Sequence, residues 1–161
     1  MKKLSNMVFA LVFTALVSQF TVAQGQAPVS KSQEQQKRDE LRAAIQDICP
    51  VSGGKLGSMG KPIKVQVGKE TIFLCCKGCI GKEIKPEHWA TIHTNVARAQ
   101  HICPVMKKEL PKSPKWTLVE GQIVYVCCPP CTKKIAADPQ TYLREVDQLY
   151  IEALDARKQN R

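Results

Sequence analysis

Gln46-Asp47-Ile48-Cys49-Pro50-Val51 is answered further along the chain by Gln100-His101-Ile102-Cys103-Pro104-Val105. In the same way Phe73-Leu74-Cys75-Cys76-Lys77-Gly78-Cys79 is answered by Tyr125-Val126-Cys127-Cys128-Pro129-Pro130-Cys131. The offset is 54 residues at the first cysteine and 52 at the later ones, so a two-residue gap lies in the loop between them. Self-similarity at a fixed period marks a duplicated supersecondary unit. All 8 cysteines of the 161-residue chain fall inside this pattern, and none is left over.

Between the single cysteine and the cluster, each copy reads as a β-hairpin. Ile63, Val65 and Val67 alternate with polar residues, Gly68-Lys69 supplies a turn, and Thr71 to Leu74 is β-branched and aromatic. Trp116 to Val119, Glu120-Gly121 and Ile123 to Val126 repeat the plan, so each cluster is expected where a second strand ends. Short helices are predicted past the clusters at Gly81 to Ile84 and Thr132 to Ala137, because the prolines at 86 and 139 disfavour helical geometry in the residues before them. Longer helices follow from apolar spacing at Leu41, Ala44, Ile45 and Ile48, at Trp89, Ile92 and Val96, and at Tyr142, Leu143, Val146, Leu149, Tyr150, Ala153 and Leu154. Stripes of this kind ordinarily face a core. The expected fold class is α+β, with two hairpin/helix modules braced by helices. The first helix and module span residues 39–98, and the second module with the C-terminal helix spans 99–156.

The N-terminal stretch carries Lys2 and Lys3 and then a nearly unbroken apolar run from Met7 to Ala23. That three-part pattern predicts a signal peptide over residues 1–23, with a second small-residue cleavage site as late as Ala27. The run is shorter and more interrupted than the ~20 apolar residues of a spanning helix, so no stable membrane insertion is expected after cleavage. Residues 24–38 are polar without apolar period and read as a flexible lead-in, as do residues 157–161 as a tail. A periplasmic or secreted location follows. The formal net charge of +10 becomes +8 once Lys2 and Lys3 leave with the signal peptide. Nucleic acid is not an expected partner, since export separates the two and the basic residues are spread along the chain.

Eight cysteines in an exported chain first suggest disulfides. Adjacent cysteines make that framework awkward: Cys75 and Cys76 joined to each other would form a strained ring, and strand neighbours point to opposite faces. Metal ligation avoids the conflict if the strand ends at the pair and a turn follows. Cys76-x-x-Cys79 and Cys128-x-x-Cys131 have the two-residue gap of structural zinc sites, with Cys49 and Cys103 reaching in from across the hairpin. Three or four thiolates per copy would then select Zn²⁺ or Cu(I) over Mg²⁺ or Ca²⁺, for two ions per chain. Lys77, Lys82, Lys133 and Lys134 lie close to the clusters and offset thiolate charge.

A hairpin ending in an aromatic-apolar-Cys pattern, a Cys-x-x-x-Cys, an upstream Cys before Pro-Val, and a closing Asp-Pro-x-x-Tyr resemble the YHS and TRASH group of treble-clef-like metal-binding domains. Cys75 to Cys79 and Cys127 to Cys131 carry that motif, with Cys49 and Cys103 as upstream partners; Asp138-Pro139-Gln140-Thr141-Tyr142 matches the ending in the second copy. The first copy has Lys85-Pro86-Glu87-His88-Trp89 there, and Cys76 and Cys128 stand where the family often has serine. The resemblance implies heavy-metal transport, sensing or resistance, with a metal transporter or another exported protein as partner.

His88, His93 and His101 do not repeat between the copies, and neither do Met59 and Met106, so packing or exposure is expected of them rather than ligation. No carboxylate pair, serine-histidine arrangement or phosphate-binding glycine loop points to catalysis. The expected activity is exported thiolate-based binding of Zn²⁺ or Cu(I). An interaction module with purely structural zinc and a thiol-disulfide protein are the alternatives.

Overall fold

The computed structural model describes residues 30–160. The expected signal peptide, its cleavage sites, residues 24–29 and Arg161 lie outside the described residues. In chain order the elements are α1 (Lys31–Gln46), β1 (Ile63–Val67), β2 (Glu70–Leu74), a 3₁₀ turn (Lys77–Cys79), α2 (Pro86–Gln100), β3 (Lys115–Val119), β4 (Gln122–Val126), α3 (Pro129–Ala137) and α4 (Pro139–Gln159). The class is α+β, with two antiparallel two-stranded hairpins among helices.

Both expected hairpins form, antiparallel, with Ile63 opposite Leu74 in the first and Lys115 opposite Val126 in the second. Glu120 and Gly121 take φ of 49° and 81°, the positive pair whose twist suits a two-residue hairpin turn. This turn also docks on the other hairpin, where the Thr71 N–H donates to the Gly121 carbonyl at 2.7 Å. A side chain at Gly121 would collide with the Thr71 hydroxyl.

Several helical expectations need correction. The lead-in is not featureless as far as residue 38: α1 starts at Lys31, capped by Ser30, whose side chain accepts from the Gln33 N–H while Gln33 reaches back to the Ser30 N–H. This reciprocal cap starts a helix whose first turns are wholly exposed and lack an apolar face, so hydrophobic periodicity is blind to it. Gly81 to Ile84 is not helical; the first cluster sits on the 3₁₀ turn just before it. Pro86 instead opens α2 at its first position, where the missing N–H is harmless, and prolines 129 and 130 likewise start α3 before Thr132. At the other end α4 continues past Ala156 to Gln159. The division at 98/99 falls inside α2, and Ala44 is exposed while Ala43 is buried.

The main core gathers Ile45 of α1, Ala99 of α2, Val124 and Val126 of β4, Ile135 of α3, and Leu143, Val146 and Tyr150 of α4. A second, smaller core under the first hairpin holds Ile72, Leu74, Cys49, Cys75 and Cys79. At the α1/α4 contact Asp147 is paired with Arg38 at 3.4 Å and Arg42 at 3.9 Å. Its burial raises the carboxyl pKa and the two arginines oppose that rise.

Where the hairpins meet α2, the His93 ring lies 3.0 Å from the Tyr125 hydroxyl and 3.9 Å from Glu70. Burial pushes the Glu70 carboxyl up to about 7 and the His93 imidazole down. Because the folded chain holds the Glu70 proton more tightly than the unfolded chain does, this group's stabilisation is complete below pH 4.5 and lost as pH climbs through about 7. Glu70→Gln stays neutral, so its stability relative to the parent should rise over that window. The gain should level off near ~1 kcal/mol after solvent screening. Urea unfolding of both chains across the window checks it; a flat difference would refute the assignment.

Candidate metal centres

Each upstream cysteine sits in a tight turn that the repeat builds twice. The Cys49 N–H donates to the Gly54 carbonyl and the Gly53 N–H to the Cys49 carbonyl, both at 2.8 Å. Cys103 exchanges the equivalent bonds with Lys108 and Lys107, at 2.8 and 2.9 Å. Gly53 (φ 71°) and Lys107 (φ 53°) occupy corresponding left-handed positions. Only the first needs glycine, because a Cβ there would lie 2.6 Å from the His88 ring. His88 in turn touches the Pro50 carbonyl at 3.2 Å, and so seats the start of α2 on this turn.

A buried glutamine joins each turn to its hairpin. Gln46 donates to the Phe73 carbonyl at 2.7 Å and accepts from the Phe73 N–H at 2.9 Å. Gln100 does the same to Tyr125, at 2.6 and 2.8 Å. Both belong to the repeated hexapeptides, but a glutamine carries no metal chemistry, and its identical spacing in the two copies was the only clue in the sequence to a role. The clamp lies three residues before the upstream cysteine and leads to the cluster two residues on.

The strands end at Leu74 and Val126, immediately before the cysteine pairs. Cys76 and Cys128 are extended and lead into the 3₁₀ turn and α3 respectively, which lets neighbouring sulfurs turn to one side. Two trios result: Cys49, Cys75 and Cys79, and Cys103, Cys127 and Cys131, each with all sulfurs within 4.8 Å of one another. Cys75 and Cys79 are 3.7 Å apart, and Cys131 is 3.9 Å from both Cys103 and Cys127. An ion bound at ~2.3 Å by sulfur holds its ligands ~3.8 Å apart in a tetrahedron and ~4.0 Å apart in a plane. The two trios therefore have the spacing that lets each hold a metal ion.

Cys76 and Cys128 stand outside the trios but alongside them. Cys76 is 3.9 Å from both Cys75 and Cys79, and Cys128 is 3.8 Å from Cys127 and 3.0 Å from Cys131. No disulfide joins any two of the eight cysteines. Among the described residues no histidine joins either trio: His93 engages Tyr125, and Met59 and Met106 are exposed.

Protons are shared unequally within each group. Burial alone would raise the Cys49 thiol, but the N–H groups of Ser52, Cys75 and Val51 and the Ser52 hydroxyl favour its thiolate, and the net movement is down to about 6. Burial is likewise overcome at Cys103 by N–H groups of Cys127, Met106 and Val105. Cys79 is pushed up to about 12 by burial and then by neighbouring thiols, and Cys131 is raised for the same reasons. The turn thus favours the thiolate at the upstream cysteine, while a metal ion binding at Cys79 or Cys131 must displace a proton held more tightly than usual.

No family model, curated protein or solved structure matches the chain.

Two predictions follow from this geometry. Replacing Gln46 or Gln100 by Ala removes two buried bonds and leaves strand groups unpaired, so each should cost ~2 kcal/mol by urea unfolding; a loss within error of zero would deny the clamp. Apart from its cysteines, the first module's core keeps only Ile72 and Leu74 fully buried. Removing metal from the reduced chain should therefore lower hydrogen-exchange protection of β1–β2 and residues 75–84 by ~10-fold or more, and that of β3–β4 by less. Equal loss in both hairpins would contradict the ranking.

Proposed function

We propose that the chain is an exported, non-catalytic protein that binds Zn²⁺ or Cu(I), one ion in each cysteine module, for buffering, delivery or resistance. The observation that carries the reading is the duplicated trio of sulfurs at ligand spacing, five of the six residues buried and each trio supplied by a turn, a strand end and a turn or helix start. Sulfur is a poor donor for Mg²⁺ and Ca²⁺ and a good one for soft ions. The order of hairpin, cysteine cluster and following turn or helix supports the likeness to YHS and TRASH domains. A half-buried fourth thiol beside each trio favours metal handling over a closed structural site. The periplasm or extracellular space is its proposed location, on the strength of the N-terminal pattern. Among the described residues no helix is long and apolar enough to cross a membrane. A metal transporter or another exported protein is the proposed partner.

Competition titration of the reduced chain should give two equivalents of Zn²⁺ or Cu(I). Cys49→Ser with Cys79→Ser, which takes two sulfurs from one trio, should give one. Two equivalents retained in that double variant would overturn the ligand assignment, and four disulfides in protein taken directly from its compartment would favour a crosslinked structural role.

A further inference from the structure

In the first module the sulfurs form two triangles that share an edge. The shared edge is Cys75–Cys79, 3.7 Å long. The inner triangle is closed by Cys49, within 4.8 Å of both. The outer one is closed by Cys76, 3.9 Å from each, and is equilateral to within 0.2 Å. These sides suit a planar three-sulfur ion on either side of the edge. The triangles differ in access: Cys49, Cys75 and Cys79 are exposed by 0%, 3% and 7%, whereas Cys76 is half-buried and flanked by exposed Lys77 and Gly78. In the second module Cys127–Cys131 is the shared edge at 3.9 Å, with Cys103 inside and Cys128 outside. There the outer triangle has one short side, 3.0 Å between Cys128 and Cys131, which must open by ~0.8 Å to admit an ion.

An acceptor protein can take an ion only from a sulfur it can reach, and no partner sulfur can reach Cys49 in its buried turn. We propose that each module is a two-position exchange site for a monovalent soft ion of the Cu(I) class. The ion crosses the shared edge from the inner triangle, closed by Cys49 or Cys103, to the outer one, closed by Cys76 or Cys128. In the crossing the ion's bond to the Cys49 sulfur breaks as its bond to the Cys76 sulfur forms. Cys76 gives up its thiol proton to solvent as its bond to the ion forms, the freed Cys49 sulfur is left as a thiolate facing the N–H groups of its turn, and the ion keeps its charge and oxidation state throughout. A soft donor on the partner, most simply a thiolate, then replaces one outer ligand. The inference rests on the metal-binding reading above and adds the residue through which the ion leaves.

The full chain loaded with two equivalents of Cu(I) is treated with N-ethylmaleimide and mapped by mass spectrometry. Cys76 and Cys128 should react at least ~10-fold faster than the other six cysteines, because an ion in the inner triangle leaves them uncoordinated and they are the outer sulfurs. Equal protection of all eight would mean closed four-sulfur sites and would overturn the proposal. In parallel, Cu(I) transfer to bathocuproine disulfonate is followed by absorbance. Cys76→Ser with Cys128→Ser should keep two equivalents yet transfer at least ~10-fold more slowly, since the step lost is one of release; an unchanged rate would overturn the proposal while leaving metal binding intact. Failure of the unsubstituted chain to take up Cu(I) would defeat the metal-binding reading itself.

Discussion

A buried glutamine in each repeat makes the distance between two remote parts of the chain a fixed quantity. Gln46 and Gln100 each use both ends of the amide on one strand residue, so the end of a helix and the end of a hairpin cannot slide past each other without stranding a buried donor and an acceptor. Cys49 lies just beyond the first of these points and Cys75 just beyond its partner residue, and the same holds for Cys103 and Cys127. Without the clamp, 25 or 23 residues of intervening chain would decide whether the upstream sulfur meets the cluster. With it, the meeting is a matter of two or three residues.

The copies share this clamp but differ in what supports it. The second module packs Val124, Val126 and Ile135 against α1, α2 and α4 in the main core, and a nine-residue helix carries its last cysteine. The first has a single 3₁₀ turn in that place and a smaller core in which three of the five buried residues are its own cysteines. Gathering thiolates this closely is unfavourable without a cation between them, and the first module has less apolar burial than the second to hold its cysteines together. Duplication has produced one cysteine trio framed by the main core and one framed by a smaller core to which its own cysteines contribute.

The hairpins and the cysteine pairing were legible in the sequence because they are coded locally: period-two alternation, a glycine in each turn, and clusters placed where the apolar run stops. Direct repetition made the two groups of four cysteines visible as well. The start of α1 was missed because it is set by a reciprocal cap and by side-chain bonds such as Gln35 to Asp39, not by an apolar face. The short helix expected over Gly81 to Ile84 failed because Pro86 begins α2 as well as barring helix before it. For the trios the sequence offered two answers: the Cys-x-x-Cys gap pointed to Cys76 and Cys128, whereas the resemblance's Cys-x-x-x-Cys pointed to Cys75 and Cys127, which are the ones brought together with Cys49 and Cys103. Only the direction in which the chain leaves the strand separates a buried ligand from a half-buried one.

The joint between the modules carries a further consequence. Thr71 of one hairpin donates to Gly121 of the other, and His93 of α2 stands between Glu70 on β2 and Tyr125 on β4. Tyr125 is also the residue that Gln100 clamps, two positions before Cys127. The second hairpin is thus held at its strand end by its own module and at its turn by the other. If loading of the first site orders β2, the order reaches the Thr71–Gly121 bond and the Glu70–His93 contact before anything else in the second module. Coupling of this kind needs a differential interaction with the two states of β2. The groups at the joint are few and buried enough to supply one, through a peptide hydrogen bond that forms only when strand and turn are both in place.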